Sequence, residues 1–435
     1  MQLRLNPIAA VLALYAAQGL AAGDVTTVGE VVVTAPQDVP LAPGSLALNR
    51  DEIARASART SDTASLLTDL PGVSTYKAGG VSSLPVIRGL ADERLRTKVD
   101  GMDLAASCPN HMNSPLSYID PTAVAGVQVF SSVTPVSVGG DSIGGTIVVD
   151  SAAPAFADPG GRLMEGEAGA FYRSNGDNWG GNLSGTFATG NPSLNYTGAY
   201  AQSDNYKAGG DFKDYKFTGR LGHTLSLDEV GSTAYEATNQ SVSAAWKDGG
   251  HLLDFTYSYQ HIPYEAYPNQ RMDMTDNRND QFNLAYTGDQ SWGTLKARAY
   301  YEHTQHQMDF GDDKRFWYGM QSGGNNPPGG NGKPCSPISG GCAAGMPMDT
   351  DGKNTGLSIG ADIPLATGDL VRVGGEYQRY RMDDWWSPSG AMMWPNTFWN
   401  INDGQRDRYA VFGEWELNKD RWTHILGVRY EAAAM

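Results

Sequence analysis

From about Arg162 to Met435 the chain alternates apolar and polar residues in about eleven segments, each of the length a tilted membrane strand needs. "EGEAGAFYRS", "LSGTFATG", "LNYTGAYAQS" and "SVSAAWKD" open the series; "LLDFTYSYQH", "QFNLAYTGD", "TLKARAYYEHTQHQM" and "TGLSIGADIP" continue it. "VRVGGEYQRYRM", "RYAVFGEWEL" and "HILGVRYEA" close it. A period of two puts alternate side chains on opposite faces of a sheet. The connections sharpen the picture. "TGNPS", "KDGG", "TGDQS", "ATGD" and "NKDR" are tight, whereas 206–234, 263–279, 309–352 and 383–405 are long. Short turns on one side and long loops on the other predict an all-β transmembrane antiparallel barrel with its long loops outside the cell. A water-soluble β-sandwich would not explain that alternation. The 53 Gly, 21 Tyr and 10 Trp suit amphipathic strands better than a Leu/Ile core.

The first 22 residues carry one early arginine, an apolar stretch from Ile8 to Ala17 and small residues at the end. They predict a secretory signal peptide; a retained anchor helix is the alternative. Residues 23–44 form a Gly/Pro-rich tail with one β-prone run, Glu30, Val31, Val32, Val33 and Thr34, able to add itself to another protein's sheet edge. Residues 45–158 predict a compact α+β domain, and 159–435 the barrel strands. In the former, a helix starts at Ser61 or Asp62 and stops at Pro71-Gly72. Short strands follow in "PVIRGL", "TKVDGMDL", "VAGVQVFSS" and "GTIVVDSA". The net charge of −16 argues against a nucleic-acid partner and suits cationic cargo or a solvated acidic surface. No Ser–His–Asp spacing, phosphate loop or paired carboxylate points to an enzyme.

Three cysteines remain to be placed. Cys335 and Cys342, in "CSPISGGC", fit a loop disulfide in an oxidising space, with a metal clip as the alternative. Cys108, in "AASCPNHMNSP", is left over: a ligand, an inert buried thiol or an intermolecular partner.

"GEVVVTAP" (29–36) resembles the energy-coupling box of the TonB-dependent outer-membrane transporters. "LLTDLPGV", "VIRGLADERLRTKVDG" and "VAGVQVFSSVTPVSVGGDSIGGTIVV" resemble their plug domain. That resemblance implies an outer-membrane importer worked by an inner-membrane TonB complex that pulls the box. Within the family, "CPNHM" and "HQM" resemble the copper-receptor branch, where a CxxxM pair in the plug meets an HxM pair from the barrel. Carried over by position, the metal ligands are Cys108, Met112, His306 and Met308. The chain departs from the family in strand number: a plugged barrel has about 22 strands, and about eleven fit here. It also lacks the usual terminal aromatic residue, so the expectation is a C-terminally truncated chain holding about half a barrel.

The residues support soft-metal chemistry in their own right. Copper(I) prefers thiolate and thioether, with imidazole acceptable. Cys108 and Met112 are four apart, so one turn can aim both at one point. His306 and Met308 are two apart on a strand and share a face. His111 is an even choice between ligand and bystander. Met272, Met274, Met346, Met348, Met392 and Met393 fall in or beside the long loops, where thioethers could relay copper inward. The competing functions are uptake of an organic chelate such as a siderophore or cobalamin, gripped by the Trp-rich loops, and a truncated product without function.

Overall fold

The computed structural model describes residues 45–435 apart from 78, 110, 141, 215, 217–221, 271, 315–346 and 388–395. The signal peptide, the box at Glu30–Thr34, Cys335, Cys342, Met346, Met392 and Met393 lie outside the described residues.

The plug contains β1 (Ser45–Leu48), α1 (Arg50–Ser57), β2 (Val73–Tyr76), β3 (Leu84–Ile87), β4 (Leu95–Val99), β5 (Met102–Asp103), β6 (Val124–Phe130) and β7 (Gly145–Ser151). Five strands form one mixed sheet, β1-β6-β7-β4-β5, in which only β4 and β7 run parallel; β2 and β3 make a separate hairpin. Helix α1 starts on a reciprocal cap. The Asn49 side chain accepts from the Glu52 N–H at 3.0 Å, and the Glu52 carboxylate accepts from the Asn49 N–H at 2.9 Å. Two donors that a helix start leaves open are thereby satisfied.

The helix expected after Ser61 or Asp62 is instead a 3₁₀ segment, Thr63–Asp69. Local hydroxyl bonds explain the difference. Ser65 donates to the Asp62 carboxylate, Thr68 to the Ser65 carbonyl and Thr63 to the distant Ile119 carbonyl. Such bonds compete with the α-helical ladder. Ile53, Leu66, Leu67, Ile87, Leu116 and Ile147 bury the apolar faces of these elements in one core.

Eleven strands then follow as an uninterrupted antiparallel meander: β8 (Leu163–Arg173), β9 (Asn178–Ala188), β10 (Pro192–Ser203), β11 (Tyr235–Asp248), β12 (His251–Glu265), β13 (Asp273–Gln290), β14 (Gly293–Asp309), β15 (Met348–Pro364), β16 (Leu370–Trp386), β17 (Phe398–Lys419) and β18 (Trp422–Ala434). The number agrees with the sequence pattern. The sheet is open, with β8 and β18 at its two ends.

Alternation is clear on β14. Glu302, Thr304, His306 and Met308 are buried toward the plug, while Tyr301, Gln305 and Gln307 are exposed on the other face. That outer face carries Phe255, Leu284, Leu357, Ile359, Val373 and Val411 as an exposed apolar belt, and aromatic neighbours Tyr257–Phe282 and Tyr377–Tyr409 pack at 4.9 Å. No helix among the described residues is long and apolar enough to cross a membrane.

Two boundaries differ from expectation. The loops expected at 263–279 and 383–405 contract to 266–272 and 387–397, because β13 and β17 run on for 18 and 22 residues. The added stretch of β13 reads DMTDNRND, so the hydropathy signal fades while the ladder continues. The alternation of loop lengths is also not strict: β8 and β9 join by a tight turn, 174–177, at the long-loop end.

The plug is held to this wall by polar contacts. The Asp103 carbonyl accepts from Asn354 and Gln378 at 2.9 Å each, and the Asp100 carbonyl from Asn283 at 3.0 Å. Glu376 of β16 gathers Arg96 (3.1 Å) and Lys98 (3.0 Å) from the plug and Arg429 (2.6 Å) from β18.

Candidate metal centre

Cys108 lies in the plug segment between β5 and the 3₁₀ turn Pro115–Tyr118. The His111 N–H donates to the Cys108 carbonyl at 2.9 Å, closing a turn, and His111 takes a positive φ of 55°. Left-handed backbone disfavours a side chain other than glycine's by roughly 1–2 kcal/mol. The turn brings Cys108 (0% exposed) and Met112 (5%) into the same buried cluster. His111 is not part of that cluster. Its Nε2 sits 3.0 Å from the Glu93 carboxylate and its Nδ1 4.0 Å from Asp92. The hydrogen bond to Glu93 holds the His111 pKa above the ordinary histidine value, and the Glu93 carboxyl is lowered in return.

The wall's contribution begins with Met308 on β14. It lies across from Met274 on β13 and Met348 on β15, so three thioethers stand in one row on adjacent strands. All three are within 1% of complete burial and share the cluster with Cys108 and Met112; Met272 packs against it. A bulge makes the row possible. The inward residues of β13 are Asn277, Asn279, Gln281 and Asn283, a series in which Met274 is out of phase. The register shifts between Met274 and Asp276, leaving Thr275 unpaired and turning Met274 inward. Sequence reasoning placed Met274 and Met348 in or beside the long loops; in the structure they are buried on β13 and β15.

His306, two residues before Met308, is 2% exposed. Its Nδ1 meets Asn277 Oδ1 at 3.2 Å, and its buried Nε2 has no hydrogen-bond partner among the described residues. Asn277 Oδ1 also accepts from Asn113 Nδ2 at 3.0 Å, which ties the histidine to the residue after Met112. The Tyr267 hydroxyl makes a second tie between plug and wall. It donates to the Met112 carbonyl at 3.0 Å and lies 3.9 Å from Met274 Sδ. Asn113, Asn277 and Tyr267 escaped the sequence reading, since nothing in their local pattern marks them.

Chemically, the arrangement offers one thiol, several thioethers and an imidazole lone pair in a buried place. Among the described residues no group of three or more His, Cys, Asp or Glu is placed to hold a metal. Sulfur donors select soft cations. The structure brings Cys108, Met112 and Met308 into one cluster, and reaches His306 through the two asparagines. Of the tryptophans in the expected loop 383–405, Trp385 and Trp399 pair at 5.5 Å on the outward-facing register of β16 and β17, Trp386 packs against the Cys108 cluster, and Trp394 lies outside the described residues.

Residues 41–146 match the family model of the TonB-dependent receptor plug domain, and residues 227–433 that of the TonB-dependent receptor-like β-barrel. Among solved structures, the chain is similar to the copper transporter OprC at 21% identity, over 90% of this chain and 55% of that one, with a TM-score of 0.67. It is similar to the siderophore receptor PirA from Pseudomonas aeruginosa at 16% identity, 91% and 57% coverage and a TM-score of 0.59. The FrpB iron transporter from Neisseria meningitidis gives 16%, 88%, 56% and 0.59. The chain thus spans just over half the length of these proteins, and at such identities the likeness shows the fold alone. No curated protein matches by sequence.

Proposed function

Because the chain belongs to the TonB-dependent receptors, as its plug and barrel matches show, we propose that it serves in outer-membrane import of copper, bound by soft donors between plug and wall. One observation supports this: the buried cluster uniting Cys108 and Met112 of the plug with Met308 of the wall, beside an imidazole whose Nε2 has no partner among the described residues. A thiolate with a monovalent copper ion is neutral overall, so the pair can be buried at modest desolvation cost, whereas a dication would leave a net charge there. The similarity to a copper transporter supports the reading. In the import cycle the box at Glu30–Thr34 would pair with the inner-membrane TonB complex by strand addition, and withdrawal of the plug would separate the plug sulfurs from the wall.

The test is copper(I) binding to the purified protein, read by competition with a chromophoric chelator. Wild type should bind copper(I), and Cys108→Ser and Met308→Leu should each bind it more weakly. Equal affinity in all three would exclude the site. A chelate receptor is the second reading, favoured by the similarity to siderophore and iron receptors. It predicts binding of a ferric siderophore by wild type and Cys108→Ser alike.

A further inference from the structure

We infer that Asn277 is the positioning residue that decides which nitrogen of His306 is offered to a metal, and that the plug dictates the orientation of Asn277. One group in this network has only one possible role. The Ser117 backbone carbonyl, in the plug, can only accept, and the Gln260 side-chain amide nitrogen donates to it. Gln260 Nε2 donates also to Asn239 Oδ1 at 2.9 Å. Gln260 Oε1 therefore faces the other way, where it accepts from Asn277 Nδ2 at 3.3 Å. Asn277 Oδ1 is thereby left facing Asn113 Nδ2 at 3.0 Å and His306 Nδ1 at 3.2 Å.

An oxygen opposite Nδ1 needs a proton there, so His306 carries its hydrogen on Nδ1. Its lone pair lies on Nε2, the buried nitrogen without a partner. Turning Asn277 over would set its NH₂ against the NH₂ of Asn113 and its oxygen against that of Gln260. Two plug residues, Ser117 and Asn113, thus fix the tautomer of a wall histidine through two wall amides. When segment 113–117 leaves the wall, both constraints go together, and Nε2 is no longer held as the bare nitrogen. This consequence for metal release rests on the copper reading above; the tautomer itself does not.

The experiment uses the full chain, ¹⁵N-labelled at histidine, in lipid vesicles without metal, with His306 assigned through His306→Gln. Nitrogen shifts should show wild-type His306 protonated at Nδ1. Asn277→Leu, close in shape but unable to accept, should shift the population toward Nε2–H and lower copper(I) affinity by about 10–100-fold, the usual effect of losing an outer-shell partner. Asn277→Asp keeps the acceptor opposite Nδ1, with an oxygen now facing Gln260 Oε1, and should restore the Nδ1–H preference. Asn113→Ala, on the plug, should loosen the Nδ1–H preference while Asn277 stays in place, and heat-modified mobility on gels reports folding for each variant. A wild-type tautomer in folded Asn277→Leu, or wild-type protonation at Nε2, overturns the proposal. Failure of wild type to bind copper(I) would sink the copper reading instead, leaving the metal-free tautomer result to decide the role of Asn277.

Discussion

Met274 faces Met308 across β13 and β14 because Thr275 is bulged out of the ladder and resets the phase of the strand. The row Met274–Met308–Met348 thus results from register, with each residue adjacent to the plug cluster. Methionine also fills irregular cores well, so packing and ligation must be separated. Leucine is close in volume, and Met308→Leu should cost less than about 1.5 kcal/mol of stability. Its copper(I) affinity should fall by more than the ~10–100-fold typical of second-shell changes. Met274→Leu should have a smaller effect on affinity. Equal losses in the two variants, measured by chelator competition, would show that Met308 has no special place.

The plug–wall anchor at Glu376 gives a second prediction. Arg96, Lys98 and Arg429 converge on this one carboxylate, and burial pushes the Lys98 ammonium down to about 8 even with Glu376 present. Glu376→Gln strips Lys98 of its carboxylate, while Arg96 keeps Asp103 and Arg429 keeps Glu431, and breaking a buried pair this way costs roughly 3–5 kcal/mol. The urea midpoint for release of the plug, followed by protease access, should drop accordingly. An unchanged midpoint would show that the hub does not hold the plug.

His111 supplies a pH dependence with a definite sign. Its folded pKa is raised, chiefly by the hydrogen bond to Glu93, above the ordinary 6.5. The contribution to stability is complete below that ordinary value and is lost as pH rises through the raised one. Glu93 is largely exposed, so the size should be under about 1 kcal/mol. His111→Asn, which tolerates positive φ, should remove this pH-dependent component and leave copper(I) affinity unchanged. A fall in affinity would make His111 a ligand after all.

Binding and transport separate at the box. Proline at Val32 removes a backbone donor needed for strand addition. Val32→Pro should abolish copper uptake by cells and leave copper(I) binding intact. Loss of both would mean that the segment acts on the site itself.

The strand number was legible because it is written in local pattern, a period of two with turn residues between; the plug, and Cys108, Met112, His306 and Met308 as candidate ligands, came from the family resemblance. The phase change at Thr275 was not legible, since an alternating run with one extra residue reads as loop. The same holds for the positive φ at His111, which points that ring at Glu93, and for the Asn113–Asn277–His306 chain, whose members are 164 and 29 residues apart. The helix capped at Asn49 was not read from the sequence, because the Pro-Gly stop drew the expected helix to the later segment.

X-ray absorption at the copper edge of the copper(I)-loaded protein addresses the soft site most directly. A shell dominated by sulfur with a histidine nitrogen is expected, losing a sulfur in Met308→Leu and the histidine signal in His306→Gln. A shell of oxygen and nitrogen alone, unchanged in both variants, would contradict it.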